Sequence, residues 1–130
     1  MTITPLHGRR RSHVHRLSVS ARSHGRGATR FVCVCVRGEV DAANAKDFAI
    51  AVCEAVAGHR VVEVDLRALG FLAVDGIAAL HAINAQLARQ DVTWSVLPSR
   101  AVSRLLELCD PEGVIPRADD APDPTEAEPA

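Results

Sequence analysis

The chain passes between runs that are apolar throughout and runs in which apolar residues recur every three or four positions. Phe31 to Val36 (FVCVCV) is of the first kind and rich in β-branched valine, which predicts a strand. A strand apolar on both sides is usually covered on both faces or central in its sheet. Gly38 is expected to end it. In EVDAANAKDFAIAVCEAVAG, Phe48, Val52, Ala55 and Val56 fall at helical spacing, and Gly58 supplies a stop. Val62, Val64 and Leu66 alternate in RVVEVDLRAL, a second strong strand. After a short loop, GFLAVDG, the residues Ile77, Leu80, Ile83 and Leu87 mark an amphipathic helix. VTWSVLP reads as a strand stopped by Pro98. SRAVSRLLELCD reads as a last helix, with Ser99 as its N-cap and Val102, Leu105, Leu106 and Cys109 as its apolar face. The weakest pattern is HVHRLSVSA, where Val14, Leu17 and Val19 alternate in part; it is expected to form a first strand, followed by a turn in ARSHGRGAT.

The predicted order is β-β-α-β-α-β-α, an α/β fold. Two strand–helix–strand units imply right-handed crossovers and parallel neighbours. The first two strands can pair antiparallel, so a mixed four-stranded sheet with helices packed on it follows. At 130 residues and 48% hydrophobic content, the chain has room for one domain with a real core.

Net charge is −1, a sum that hides two opposed ends. Residues 1–30 hold seven arginines and four histidines without an acid, whereas residues 110–130 hold seven acids against Arg117 alone. Residues 1–13 are expected to form a disordered basic arm, residues 14–110 the domain, and residues 111–130 a solvated, acidic, Pro-rich tail. His7, His13, His15 and His24 with Arg9 to Arg11 raise metal or phosphate binding. No third ligand follows the His13–His15 pair, and no aromatic accompanies the basic run, so no metal site and no direct nucleic-acid contact is assigned. No apolar run approaches the ~18 residues of a membrane span, and no apolar segment follows the N-terminal arginines as in a secretory signal. A cytoplasmic location is expected. Cys33, Cys35, Cys53 and Cys109 fit no zinc spacing and read as reduced thiols, with a redox switch as the minority reading. No nucleophile, metal or phosphate-loop motif is present, so neither an enzyme nor a cofactor is expected.

Three segments carry a family resemblance: GEVD (Gly38 to Asp41), VVEVDLRALGFLAVDG (Val61 to Gly76), and VTWSVLPS leading into SRAVSRLLELC. Over roughly Val14 to Asp110 the chain resembles the STAS domain of anti-sigma factor antagonists. The resemblance implies a STAS-like fold and a bacterial regulator of transcription acting by protein–protein interaction. It would bind a serine-kinase-like anti-sigma factor and so release a sigma factor. In that family the third strand leads into a D-S-S/T-G loop whose residue before the glycine is the phosphoacceptor. Gly76 and Ile77 match the family's glycine and aliphatic; Asp75 stands at the phosphoacceptor position, with Ala73 and Val74 before it. From Phe31 through Val92 there is no serine, threonine or tyrosine, so no shift of register restores a hydroxyl. Regulation independent of Ser/Thr phosphorylation is therefore expected.

Asp75 carries one negative charge where a phosphoserine would carry about −1.5 to −2. It also suits a helix N-cap, and its charge opposes the positive end of the helix dipole. The expected partner-binding residues are Ala73, Val74, Asp75, Gly76 and Ile77, with Glu39 and Asp41 of the GEVD loop beside them. The rival reading is a STAS scaffold subunit of a membrane transporter complex; a redox-sensing module is a third.

Overall fold

The computed structural model describes residues 17–118. The expectations for the basic arm, for Val14 and for the end of the acidic tail fall outside those residues. Five strands and three α-helices follow one another as β1 (Leu17–His24), β2 (Phe31–Val40), α1 (Ala45–Ala55), β3 (Val61–Asp65), β4 (Leu69–Leu72), α2 (Val74–Arg89), β5 (Thr93–Leu97) and α3 (Arg100–Cys109), with a short 3-10 turn at Gly27–Thr29. The four expected strands and three expected helices are all present in the expected order.

The sheet runs β1-β2-β3-β5, with β4 also paired to β2. β1 lies antiparallel to β2; β2–β3, β2–β4 and β3–β5 are parallel. β2 is the central strand. Its first half pairs with β3 (Val32 with Val62 to Cys35 with Asp65) and its second half with β4 (Gly38 with Leu69 to Val40 with Leu72).

Alternation along the strands sets the two faces of the sheet. Val32, Val34, Val36, Val62, Val64, Trp94 and Val96 are buried, while Cys33, Cys35, Glu63, Asp65, Ser95 and Leu97 between them are only half-buried. Helices α1 and α2 pack on the buried face, and α3 packs against α2. The all-apolar β2 is thus explained by its central place in the sheet. Ile77, Leu80, Ile83 and Leu87 of α2 enter this core, as do Phe48, Val52 and Val56 from the α1 segment and Val102 and Leu106 of α3. Trp94 is buried with its indole N–H donating to Asn84 Oδ1 at 2.8 Å, so its polar atom is satisfied. Ser99 caps α3, its hydroxyl accepting from the Val102 amide at 3.1 Å.

Three local expectations are corrected. Gly38 does not end β2: the strand runs on through it, at φ 108°, to Val40, and the register shift against β4 (Gly38 with Leu69, Glu39 with Phe71) leaves Gly70 of β4 as the extra, bulged residue. The segment expected to be a plain loop after Leu66 contains β4, because the extended end of β2 offers it a partner and Leu69 and Leu72 are buried there. The chain after Pro111 is also packed as far as Ala118. Asp110 is buried (3% exposed), and its carboxylate accepts from the amides of Val114 and Ile115 at 3.1 and 2.9 Å. Ile115 is buried in the core, and Pro116 and Ala118 bracket Val96 of β5 by backbone hydrogen bonds of 2.9 and 2.8 Å. One apolar residue, Ile115, supplies what the acidic composition around it conceals.

Candidate functional site

Since β2, β3, β4 and β5 are parallel, the starts of α1, α2 and α3 gather at one end of the sheet. The candidate residues lie here, on the β2–α1 and β4–α2 connections. β4 ends at Leu72, and the Ala73 amide donates to the Val40 carbonyl at 2.8 Å, which ties the two connections together. α2 begins at Val74, with Ala73 as its N-cap and no side chain capping it.

Asp75 is therefore not the cap. It sits inside the first turn of α2, where its carboxylate is exposed and no hydrogen bond or ion pair reaches it from the described residues. Side chains in a helix lean toward its N-terminus, so a carboxylate at this position projects off the end of the helix. What remains of the structural role is its favourable place at the positive end of the dipole.

Gly76 and Ile77, expected at a partner surface, are buried. Ile77 is 3% exposed and belongs to the core. A Cβ on Gly76 would collide with Leu72 Cδ1, approach Leu72 Cγ at 2.9 Å and sit 3.2 Å from Val40 Cγ1. The glycine lets the first turn of α2 press onto β2 and β4. Its neighbours face outward: Val74 is 63% exposed, and Phe71, which the sequence reading passed over, is 53% exposed. Ala73 is half-buried.

The GEVD segment divides in two. Glu39 is on β2, not in a loop, and pairs in register with Phe71 of β4, so these neighbours share a sheet face while Val40 and Leu72 point to the core. Asp41 opens the connection to α1 and is occupied there. Its Oδ1 accepts from the amides of Ala43 at 2.9 Å and Asn44 at 3.2 Å. Buried Asn44 returns the contact: its Oδ1 accepts from the Asp41 amide at 2.9 Å, and its Nδ2 donates to the Glu39 carbonyl at 3.0 Å. Asn44 was missed as well, although an Asp followed three residues later by Asn ahead of a helix is a legible signal for such a turn. At the end of β3, Asp65 is gripped by Arg67 through backbone N–H, Nε and Nη2 at 2.9, 3.0 and 3.1 Å. Burial alone would raise the Asp65 carboxyl; the Arg67 hydrogen bonds outweigh it and hold the carboxyl below the usual carboxylate range.

Cys33, Cys35, Cys53 and Cys109 are free and half-buried. Burial, with Asp65 and Glu63 nearby, pushes the Cys33 thiol up to about 11, and burial raises Cys53 as well. At neutral pH both are protonated, the poorly nucleophilic form. Among the described residues no group of His, Cys, Asp or Glu is placed to hold a metal ion, and no helix is long and apolar enough to cross a membrane.

A family model described as "Mlab, STAS domain" matches residues 24–116. The chain belongs to the STAS domain family. Among solved structures, this STAS domain is similar to an anti-sigma factor antagonist from Mycobacterium paratuberculosis, at 25% identity over 80% of this chain and 91% of that one, with a TM-score of 0.62. It shares its fold with the anti-sigma factor antagonist SpoIIAA in its unphosphorylated form, at 16% identity over 84% of this chain and 100% of that one, with a TM-score of 0.54. No curated protein matches.

Proposed function

We propose that this STAS domain is an anti-sigma factor antagonist that engages a serine-kinase-like anti-sigma factor, and so frees a sigma factor, through the edge formed by Phe71, Val74 and Asp75 with Glu39 beside them. The observation that carries this reading is the exposure of two large apolar side chains flanking a carboxylate at the start of α2, in a chain similar to a known antagonist over most of its length. Apolar anchors at the centre with charge at the rim are the usual make-up of a protein-docking surface.

Regulation is independent of Ser/Thr phosphorylation at this edge. Asp75 stands where the family places its phosphoacceptor, and no hydroxyl occurs between Phe31 and Val92. A partner that docks here meets a permanent single negative charge. Occupancy is then set by the amounts of antagonist and partner, by mass action, with no covalent switch at the site.

Capture of the host's anti-sigma factors by the wild type, Asp75→Ser, Asp75→Ala and Phe71→Ala tests the reading. The wild type is expected to retain an anti-sigma factor and Phe71→Ala to lose it. Phosphorylation of Asp75→Ser by the captured partner would identify position 75 as a family site without its switch. Capture of no anti-sigma factor by any form sinks the proposal, and capture of a permease or transport ATPase instead would establish the scaffold reading.

A further inference from the structure

The chain enters the domain beside the candidate site. Leu17, the first residue of β1, pairs with Gly38, one position before Glu39. Because β1 and β2 are antiparallel, the backbone that leads into Leu17 arrives from the Val40–Asp41 end of β2, and β4 lies on the far side of β2. Neighbouring strands are ~4.8 Å apart, so the root of residues 1–16 is about 10 Å from the β4 backbone that carries Phe71. Sixteen residues reach up to about 50 Å. No stretching is needed to cover the edge.

The chemistry on the two sides is complementary. Residues 1–16 hold Arg9, Arg10, Arg11 and Arg16, three histidines, the apolar Ile3, Leu6 and Val14, and no acid. The facing edge holds Glu39, Asp41, Asp47, Asp65 and Asp75 against Arg37, Lys46 and Arg67, the last paired with Asp65, together with exposed Phe71 and Val74. We propose that residues 1–16 dock in cis on this acidic and apolar edge, so that a partner must displace the chain's own basic segment. The regulatory meaning rests on the functional reading above; the docking itself does not.

Residues 119–130 are a competing acidic target, with Asp119, Asp120, Asp123, Glu126 and Glu128 and no base. Arg117 pairs parallel with Val96, so the backbone at Ala118 heads toward the same end of the sheet. The edge has the advantage because its carboxylates stand on packed backbone, Asp41 in a hydrogen-bonded turn and Asp75 on a helix. Docking there orders one segment, whereas pairing the two ends with each other orders two, at ~1–2 kcal/mol per residue fixed.

The test uses the full chain, 15N-labelled, as wild type and as R9E/R10E/R11E. Charge reversal is expected to shift the amides of residues 39–41 and 71–76 and to leave those of β5 unchanged. Raising the salt tenfold is expected to move the wild-type amides toward the variant's, since screening weakens an exposed contact of this kind. Still amides at 39–41 and 71–76 overturn the docking, as do shifts confined to residues 119–130 or to the open sheet face around Cys33 and Glu63. On an anti-sigma factor captured above, the variant is expected to bind about fivefold tighter, within the usual range of coupling between sites. Equal affinity overturns the competition. Shifted amides with no anti-sigma factor captured would leave the docking standing and remove the functional reading; capture with still amides would do the reverse.

Discussion

Helices α1 and α2 both start at the carboxyl ends of parallel strands, and each has an aspartate close to its first turn. Asp41 lies ahead of α1, where its carboxylate folds back onto two amides and is answered by buried Asn44. Asp75 lies one residue inside α2, and no donor among the described residues reaches it. The carboxylate of Asp41, ahead of α1, is consumed by the fold, whereas Asp75, like the exposed Asp47 in the first turn of α1, is left for solvent or a partner. Position relative to the first helical residue decides which. Asp41, ahead of the helix, reaches the amides of the turn that leads into it, whereas Asp75, within the first turn, accepts from no donor among the described residues.

The largest effect comes from forcing the two starts to pack alike. Gly76→Val should destabilise by about 3 kcal/mol, because the added atoms meet Leu72 and Val40, whose shift would disturb both β2 and β4. A urea midpoint close to wild type would show that α2 can lift away. Asn44→Ala should cost about 2 kcal/mol, since it removes the acceptor for the Asp41 amide and the donor to the Glu39 carbonyl in a buried place. Phe71→Ala should weaken partner binding by tenfold or more, about 1.4 kcal/mol, with stability changed by less than about 0.5 kcal/mol. Equal losses in both would make Phe71 a structural residue.

The contrast itself is measured by the pair Asp41→Ala and Asp75→Ala, expected at about 1 and at most about 0.5 kcal/mol respectively. Reversed magnitudes in denaturant titrations would refute it. The smallest effect concerns Asp65, whose carboxyl is held low by Arg67. A lowered folded-state value stabilises above the unfolded value near ~3.9 and is lost as pH falls through the folded one. The deficit of Arg67→Ala should therefore be visible at pH 7, under about 1 kcal/mol for a part-exposed pair, and vanish on acidification. A deficit that persists at low pH would assign Arg67 to packing.

The order of elements was legible because its signals are periodic. FVCVCV, the alternating Val62–Leu66 run and the helical spacing of Ile77 to Leu87 each state an element by themselves. β4 was not legible, because its four residues become a strand only when the end of β2 stands beside them, and β2 reaches that far by continuing through a glycine that reads as a stop. Missing β4 hid Phe71, since the alternation that buries Leu72 and exposes Phe71 exists only within a strand. The loop residues were found from family resemblance, which names positions without saying which way each side chain points. Gly76 and Ile77 were thus placed at a surface when both serve the core. Ile115 was lost for a different reason: one apolar residue has no period, and acidic, Pro-rich neighbours outvoted it.

The short segment from Pro116 to Ala118 has a consequence for association. By hydrogen-bonding on both sides of Val96, it occupies part of the outer rim of β5 with a piece of chain that begins in a proline. A foreign strand approaching from that side finds the donor and acceptor of Val96 already taken, the usual protection of a sheet against growing from one molecule into the next. Among the described residues, the longest rim left uncovered is that of β1, which presents Ser18, Ser20, Arg22 and Ser23 to solvent. The longest rim open to extension is therefore a polar one.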